Sequence, residues 1–383
     1  MTGPLQALVR PGMAPEWPAL AATAPLLASP GWLRAMDGRL GPGAVTIVVT
    51  EGGQPCLAAF ASVQDTPRPG EFFDLHHVLV DAGSVLPLTD AARAARAALA
   101  VTAPAPARWT PNVVVMLPGY ECIPVGPAAG SPAAVGALVD GALQLAADRG
   151  ARTAAFLYTR PDAVVLAAVL TGRGFVPVPL SLSWDLPVPV DGLAGYLQSL
   201  PSRRRRTVGA ELRRIAANGV EVRRLDPAQA RTDAVVGELT ALRCQLVRKY
   251  RGDADEVIER RRLDRLVHDV AAGRPLVFQA AAAGSPVGFA LFAPHGREWH
   301  CLAMGFDYRD PRSRLAYFGT AFYGPVPAAA AGGVAQLSYG QGSGAAKRSR
   351  GCIATPLTGW VRSEDPEIMA AATASARVTA LLP

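Results

Sequence analysis

The sequence predicts a mixed α/β protein of two domains in tandem, each a mixed central sheet flanked by helices. Three observations carry that expectation. Short apolar runs alternate with helical patterns along the chain. The 383 residues are half apolar, enough for two packed cores. The two halves also close on the same residues at the same spacing.

Taken in order, AVTIVVTEGGQPCLAAFASV (44–63) reads as a hairpin turning at Gly52-Gly53. NVVVMLP (112–118) is a further strand, and SPAAVGALVDGALQLAADRG (131–150) is an amphipathic helix closed by Gly150. Strand TAAFLYT (153–159), helix DAVVLAAVLTGRG (162–174) and a strand around SLSWDLPV (181–188) end the first cycle. The second opens with GLAGYLQSLPSRRRRTVGAELRRIAANG (192–219), helical in two pieces broken at Pro201. Helical patterns continue through ALRCQLVRKY (241–250) and EVIERRRLDRLVHDVAAG (256–273). Strands follow at PLVFQAAAAG, SPVGFALFAP and EWHCLAMGFDY, with Gly284-Ser285 as a hairpin turn. A helix from about Tyr317 leads to strand AQLSYG (335–340), helix SGAAKRSRG and strand PLTGWVR.

The segments 150–184 and 333–360 can be laid over one another. Each has a strand ending in tyrosine (Tyr158, Tyr339) and a helix ending in Arg-Gly (Arg173-Gly174, Arg350-Gly351). In each, Pro-Leu stands five and six residues after that glycine, ahead of Trp184 or Trp360. These matches divide the chain into an extension (1–29), a first domain (30–190), a second domain (191–362) and a tail (363–383).

Composition removes several classes of function. No uninterrupted run of about 18 apolar residues appears, so no membrane span is expected. MTGPLQALVRPGM lacks the pattern of a secretory signal, and the expected location is the cytoplasm. Five scattered cysteines without a CxxC pair, and five histidines without ligand spacing, point to reduced thiols and no metal site. His76 and His77 are adjacent and, on a strand, would face opposite sides. The net charge of +7 is carried almost wholly by arginine; lysine occurs only as Lys249 and Lys347. A lysine in such a chain draws notice, because its compact ammonium is not interchangeable with a guanidinium.

A strand, a helix, Gly-Phe (Gly174-Phe175) and a closing strand resemble the end of a GNAT acyltransferase domain. Two such units in tandem, with the helix LPSRRRRTVGAELRRIAANG (200–219) and the closing stretch YGQGSGAAKRSRG (339–351), resemble the Fem-type, peptidoglycan-biosynthesis-like branch. The resemblance spans residues 30–362. It implies an enzyme that delivers an activated acyl group to an amine. The family's tyrosine, an acid for the leaving thiolate, falls on Leu170 in the first domain and Lys347 in the second. The family's Gly-rich coenzyme loop would fall on GPAAGSPA (126–133) and RDPRSRLAYFG (309–319), which lack its pattern.

The expected function is an N-acyltransferase of a specialised biosynthetic pathway. It would take an acyl group from a thioester co-substrate, on an acyl carrier protein or coenzyme A, to an amine of a peptide or small molecule. No permanently bound cofactor and no DNA partner are expected. The alternatives are a Fem-type former of peptide bonds from aminoacyl-tRNA, and a non-catalytic GNAT-fold binding module. Catalytic candidates are Lys347, as electrostatic clamp or acid, Tyr339 at a strand end, and Glu121 as a base. Arg350, three residues after Lys347, could share its role. Arg203, Arg204 and Arg206 supply a positive field for phosphate, RNA or an acidic carrier protein. Tyr250 lies in a second basic cluster, while His76, His77 and Asp307 complete the candidate donor- or substrate-binding set.

Overall fold

The computed structural model describes residues 3–81, 86, 88–270 and 274–379. Its strands are β1 (Leu5–Pro11), β2 (Ala44–Glu51), β3 (Gln54–Gln64), β4 (Asn112–Val115), β5 (Thr153–Thr159) and β6 (Val176–Pro187). They continue with β7 (Val220–Arg224), β8 (Leu276–Ala282), β9 (Ser285–His295), β10 (Glu298–Phe306), β11 (Gln336–Gly340) and β12 (Ile353–Ser363). The expected mixed α/β class holds. Two compact units emerge, Met1–Leu182 with Thr355–Pro383, and Ser183–Ala354.

In the first unit β1, β2, β3 and β4 pair antiparallel in that order, β4 pairs parallel with β5, and β5 pairs antiparallel with β12. The β2–β3 hairpin turns at Gly52 and Gly53, with φ of 56° and 82°, the left-handed pair such a tight turn demands. The helix Pro132–Asp148 starts where Ser131 Oγ accepts the Ala134 N–H, with proline in its first turn. Its Val135, Leu138, Val139 and Leu145 are buried in one core with Ile47, Leu57, Val113, Phe156 and Trp360. Removing water from that much apolar surface is the main force holding the unit together.

The second unit repeats the pattern. β7, β8, β9 and β10 pair antiparallel in order, β10 pairs parallel with β11, and β11 pairs antiparallel with β6. The order of strand senses matches the first unit throughout. The helices Gly192–Ser199 and Ser202–Ala217 break at Pro201 as expected. The helix Asp233–Arg251 lies against β10 so closely that a Cβ on Gly305 would come within 2.5 Å of the Arg243 nitrogen.

Several elements differ from the sequence reading. The closing strands are traded: Trp184–Pro187 of β6 pair with β11, and Thr358–Ser363 of β12 pair with β5. A consecutive division at 190/191 gives each half its own closing strand, whereas the ladders do not. β1 lies in the segment read as an extension, and the helix Pro366–Thr379 in the segment read as a tail. His76 and His77 are on a helical turn, not a strand. Both face Asp81, with His76 Nδ1 at 3.2 Å and His77 Nδ1 at 3.9 Å from its Oδ2. The last residues of the helical stretch expected at 256–273 lie outside the described residues. No described helix is long and apolar enough to cross a membrane.

Candidate active site

The second unit's parallel pair is short. β10 and β11 pair only at Glu298↔Gln336, Trp299↔Leu337 and His300↔Ser338, although β10 runs on to Phe306. Both strands turn irregular at the point where they part. β10 carries a bulge between Cys301 and Ala303, making Leu302 an extra residue opposite β9. β11 has its own shift between Ser338 and Gly340, opposite β6. Bulges re-aim backbone groups and end pairing, and they concentrate at reaction sites. The far end of β10 is held by Arg243, whose Nη1 donates to the Met304 carbonyl at 3.3 Å and whose Nε pairs with Glu259 Oε2 at 3.1 Å.

Beyond β11 the chain reverses through Gly340, Gly342 and Ser343, all at positive φ (58°, 78° and 49°), into the short helix Gly344–Arg348. The reversal aims three successive carbonyls at the Lys347 ammonium. Nζ donates to the oxygens of Tyr339, Gly340 and Gln341 at 2.9, 3.0 and 2.8 Å. Lys347 is 2% exposed. Burial pulls its pKa down to about 8, opposed by Cys301, Cys352 and Asp185 nearby. Tyr339 is buried too, its hydroxyl donating to the Ala321 carbonyl at 2.5 Å and its ring 4.8 Å from Phe322. That burial pushes its phenol well up. The Cys352 thiol is driven up to about 12 by burial, so it is no thiolate nucleophile at neutral pH.

Arg350 pairs with Glu211 on the basic helix, Nη2 to Oε1 at 2.5 Å, while its guanidinium lies 3.7 Å from the centre of the Phe318 ring. Tyr323 also donates its hydroxyl to Glu211, and the Tyr196 hydroxyl donates to the Arg350 carbonyl. Arg203, Arg204 and Arg206 are exposed on the same helix. Tyr250 is 71% exposed, and the Lys249 ammonium lies 3.8 Å from the Tyr308 ring centre. Asp307 accepts from the Arg309 N–H and pairs with its guanidinium, closing a turn.

The first unit handles the matching place differently. β4 and β5 pair over four residues, after which the turn at Leu117–Cys122 fills the gap. Leu117 N–H donates to the Glu121 carbonyl at 2.7 Å, and Cys122 N–H donates to the Tyr158 carbonyl at 3.2 Å. The Glu121 carboxylate is 3.3 Å from Arg160 Nη1. Tyr158, the counterpart of Tyr339, donates to the Phe72 carbonyl and holds φ at 68°. Sequence reading brings Lys347, Tyr339 and Arg350 to one region of the second unit; Glu121, His76 and His77 belong to the first unit. It missed Glu211 and Arg243, whose only signal is one acid and one base within helices rich in charge. Among the described residues no cluster of three or more His, Cys, Asp or Glu could hold a metal.

No family model and no curated protein sequence matches the chain. Among solved structures it is similar to FemX, with a TM-score of 0.55 and 14% identity over 90% of this chain and 94% of that one. The fold is Fem-like. Two further structures resemble this Fem-like fold more distantly. L-PGS from Bacillus licheniformis gives a TM-score of 0.48 at 13% identity over 70% and 82% of the two chains. A tandem GNAT protein from the clavulanic acid biosynthesis pathway gives 0.48 at 12% identity over 95% and 99%.

Proposed function

We propose that the chain is an N-acyltransferase whose reaction centre is the parted end of β10 and β11. The observation that carries this reading is the bulge at Leu302 coinciding with the end of the parallel pair. Backbone N–H groups released from pairing there are fixed donors for the oxygen of an acyl carbonyl. The donor is a thioester on a carrier protein or coenzyme A, and the acceptor is a primary amine. The amine nitrogen attacks the carbonyl carbon, and the oxyanion forms against the Leu302 N–H. Collapse forms the C–N bond and breaks the C–S bond; the departing sulfur takes up one proton and the amine gives up one to solvent. No side-chain nucleophile is required, in keeping with the raised Cys352 thiol. Positioning of the two reactants supplies much of the acceleration.

The basic helix supports a donor that carries phosphate. At about 100° per residue, Arg203, Arg206, Arg213 and Arg214 fall on one face, within about 100° of one another and roughly 17 Å along the axis. All four are exposed, and Val208 and Ile215 are buried on the other side. This stripe equally suits aminoacyl-tRNA, the donor of the Fem-type alternative.

Intact-mass analysis of a panel of amines incubated with acyl-carrier protein, acyl-CoA or charged tRNA decides between these donors. A mass gain equal to the acyl group with a thioester is the expected result, and a gain only with charged tRNA transfers the reading to the second class. Absence of any gain across the three donors sinks the acyltransferase reading. Changing the four stripe arginines to glutamine is expected to weaken donor binding strongly at low salt and little at high salt. Screening cuts their reach to about 10 Å at 0.1 M. Arg205→Gln, off the stripe, serves as the control.

A further inference from the structure

The structure assigns Lys347 a positioning role: its ammonium gathers the carbonyls of Tyr339, Gly340 and Gln341 and so holds the end of β11 apart from β10. The inference rests on the reading of that gap as the reaction centre. An ammonium has three N–H donors, and all three are taken up by main-chain oxygens within 3.0 Å. None remains for a substrate, so Lys347 acts through the strand it holds. The carbonyls converge because Gly340, Gly342 and Ser343 adopt left-handed φ, a conformation glycine enters at no steric cost. Converging donors around one atom are what an ammonium provides and a planar guanidinium does not. That accounts for lysine here, in a chain where the only other lysine is Lys249.

The charged and titratable groups around the ammonium are Asp185 from β6, Cys301 from β10 and Cys352 ahead of β12. A neutral amine keeps two N–H groups and turns a lone pair toward the third carbonyl. With the ammonium titrating at about 8, the strand end therefore loosens as pH rises through that value. The global effect runs the other way. The native value lies below the ordinary 10.5, so between about 8 and 10.5 the unfolded chain holds the extra proton. In that window this group makes folding more favourable as pH rises.

The test is amide hydrogen exchange across residues 338–344, read beside steady-state kinetics, in wild type, Lys347→Met and Lys347→Arg. Lys347→Met removes a buried charge and is expected to fold. Its exchange at 338–344 should rise about tenfold while β8 and β9 keep their protection. Its kcat should fall about tenfold to a hundredfold with KM moving less, and Lys347→Arg should not restore either. In wild type, intrinsic-rate-corrected exchange of the segment should rise through about pH 8, a readout that needs no variant. Exchange unchanged in Lys347→Met, or full function in Lys347→Arg, overturns the assignment. Loosened exchange in a protein that transfers no acyl group from any donor keeps the clamp on β11 and discards the acyltransferase reading instead.

Discussion

Replacing Glu211 with leucine is expected to destabilise the second unit by about 3–5 kcal/mol, because it strands a buried guanidinium without its carboxylate. Arg350 has 8% of its side chain exposed and Glu211 13%, and the two meet at 2.5 Å. Glu211 also accepts from Tyr323, so the same change orphans a second donor. Urea unfolding of the Glu211→Leu, Arg350→Met and paired variants measures the coupling. The double variant should recover most of the loss, since removing both charges avoids the desolvation cost that breaking the pair exposes. If the pair is no more stable than Glu211→Leu alone, the two residues do not act as a unit.

The second large effect is expected at the bulge. Leu302→Pro deletes one backbone N–H from β10, at a position where proline is tolerated within a sheet. If that N–H meets the developing oxyanion, kcat should fall about a hundred- to thousandfold, roughly 2.7–4 kcal/mol in the barrier, with the melting temperature little changed. Loss of folding would be recognised by thermal melts, and an amide-to-ester replacement at residue 302 then removes the same hydrogen with less disturbance. A variant of either kind with near-normal kcat rules the Leu302 amide out of the chemistry.

Much of this architecture was legible from local pattern. The β2–β3 hairpin follows from Gly52-Gly53 between alternating apolar runs, and the break at Pro201 from a missing N–H. The scarcity of lysine singled out Lys347, but its orientation depends on the backbone of Gly340–Ser343, and no residue pattern states that three carbonyls converge. A strand at His76 and His77 is compatible with the sequence because FFDLHHVLV is apolar apart from Asp74 and the two histidines, and so short a run does not distinguish helix from strand by periodicity. Glu211 looks like any acid on a charged helix until Arg350, distant in sequence, is brought beside it. The traded closing strands were hidden for a related reason. A strand's own residues show which of its faces is apolar and leave its neighbour unnamed.

That trade has a consequence for how the chain comes into being. β5 is complete once residue 159 is made, yet the strand that pairs with it on the β12 side arrives only with Thr358–Ser363. At roughly 5–20 residues per second, the first unit's sheet stands open for roughly 10–40 s of synthesis. Throughout that interval one side of β5, rich in buried apolar residues, is a bare edge of the kind that invites pairing with another chain. Nascent chains halted before residue 350 should leave β5 open to protease, and chains released beyond residue 363 should protect it. β12 is thus the latch on the first unit, which matures only once Thr358–Ser363 have left the ribosome.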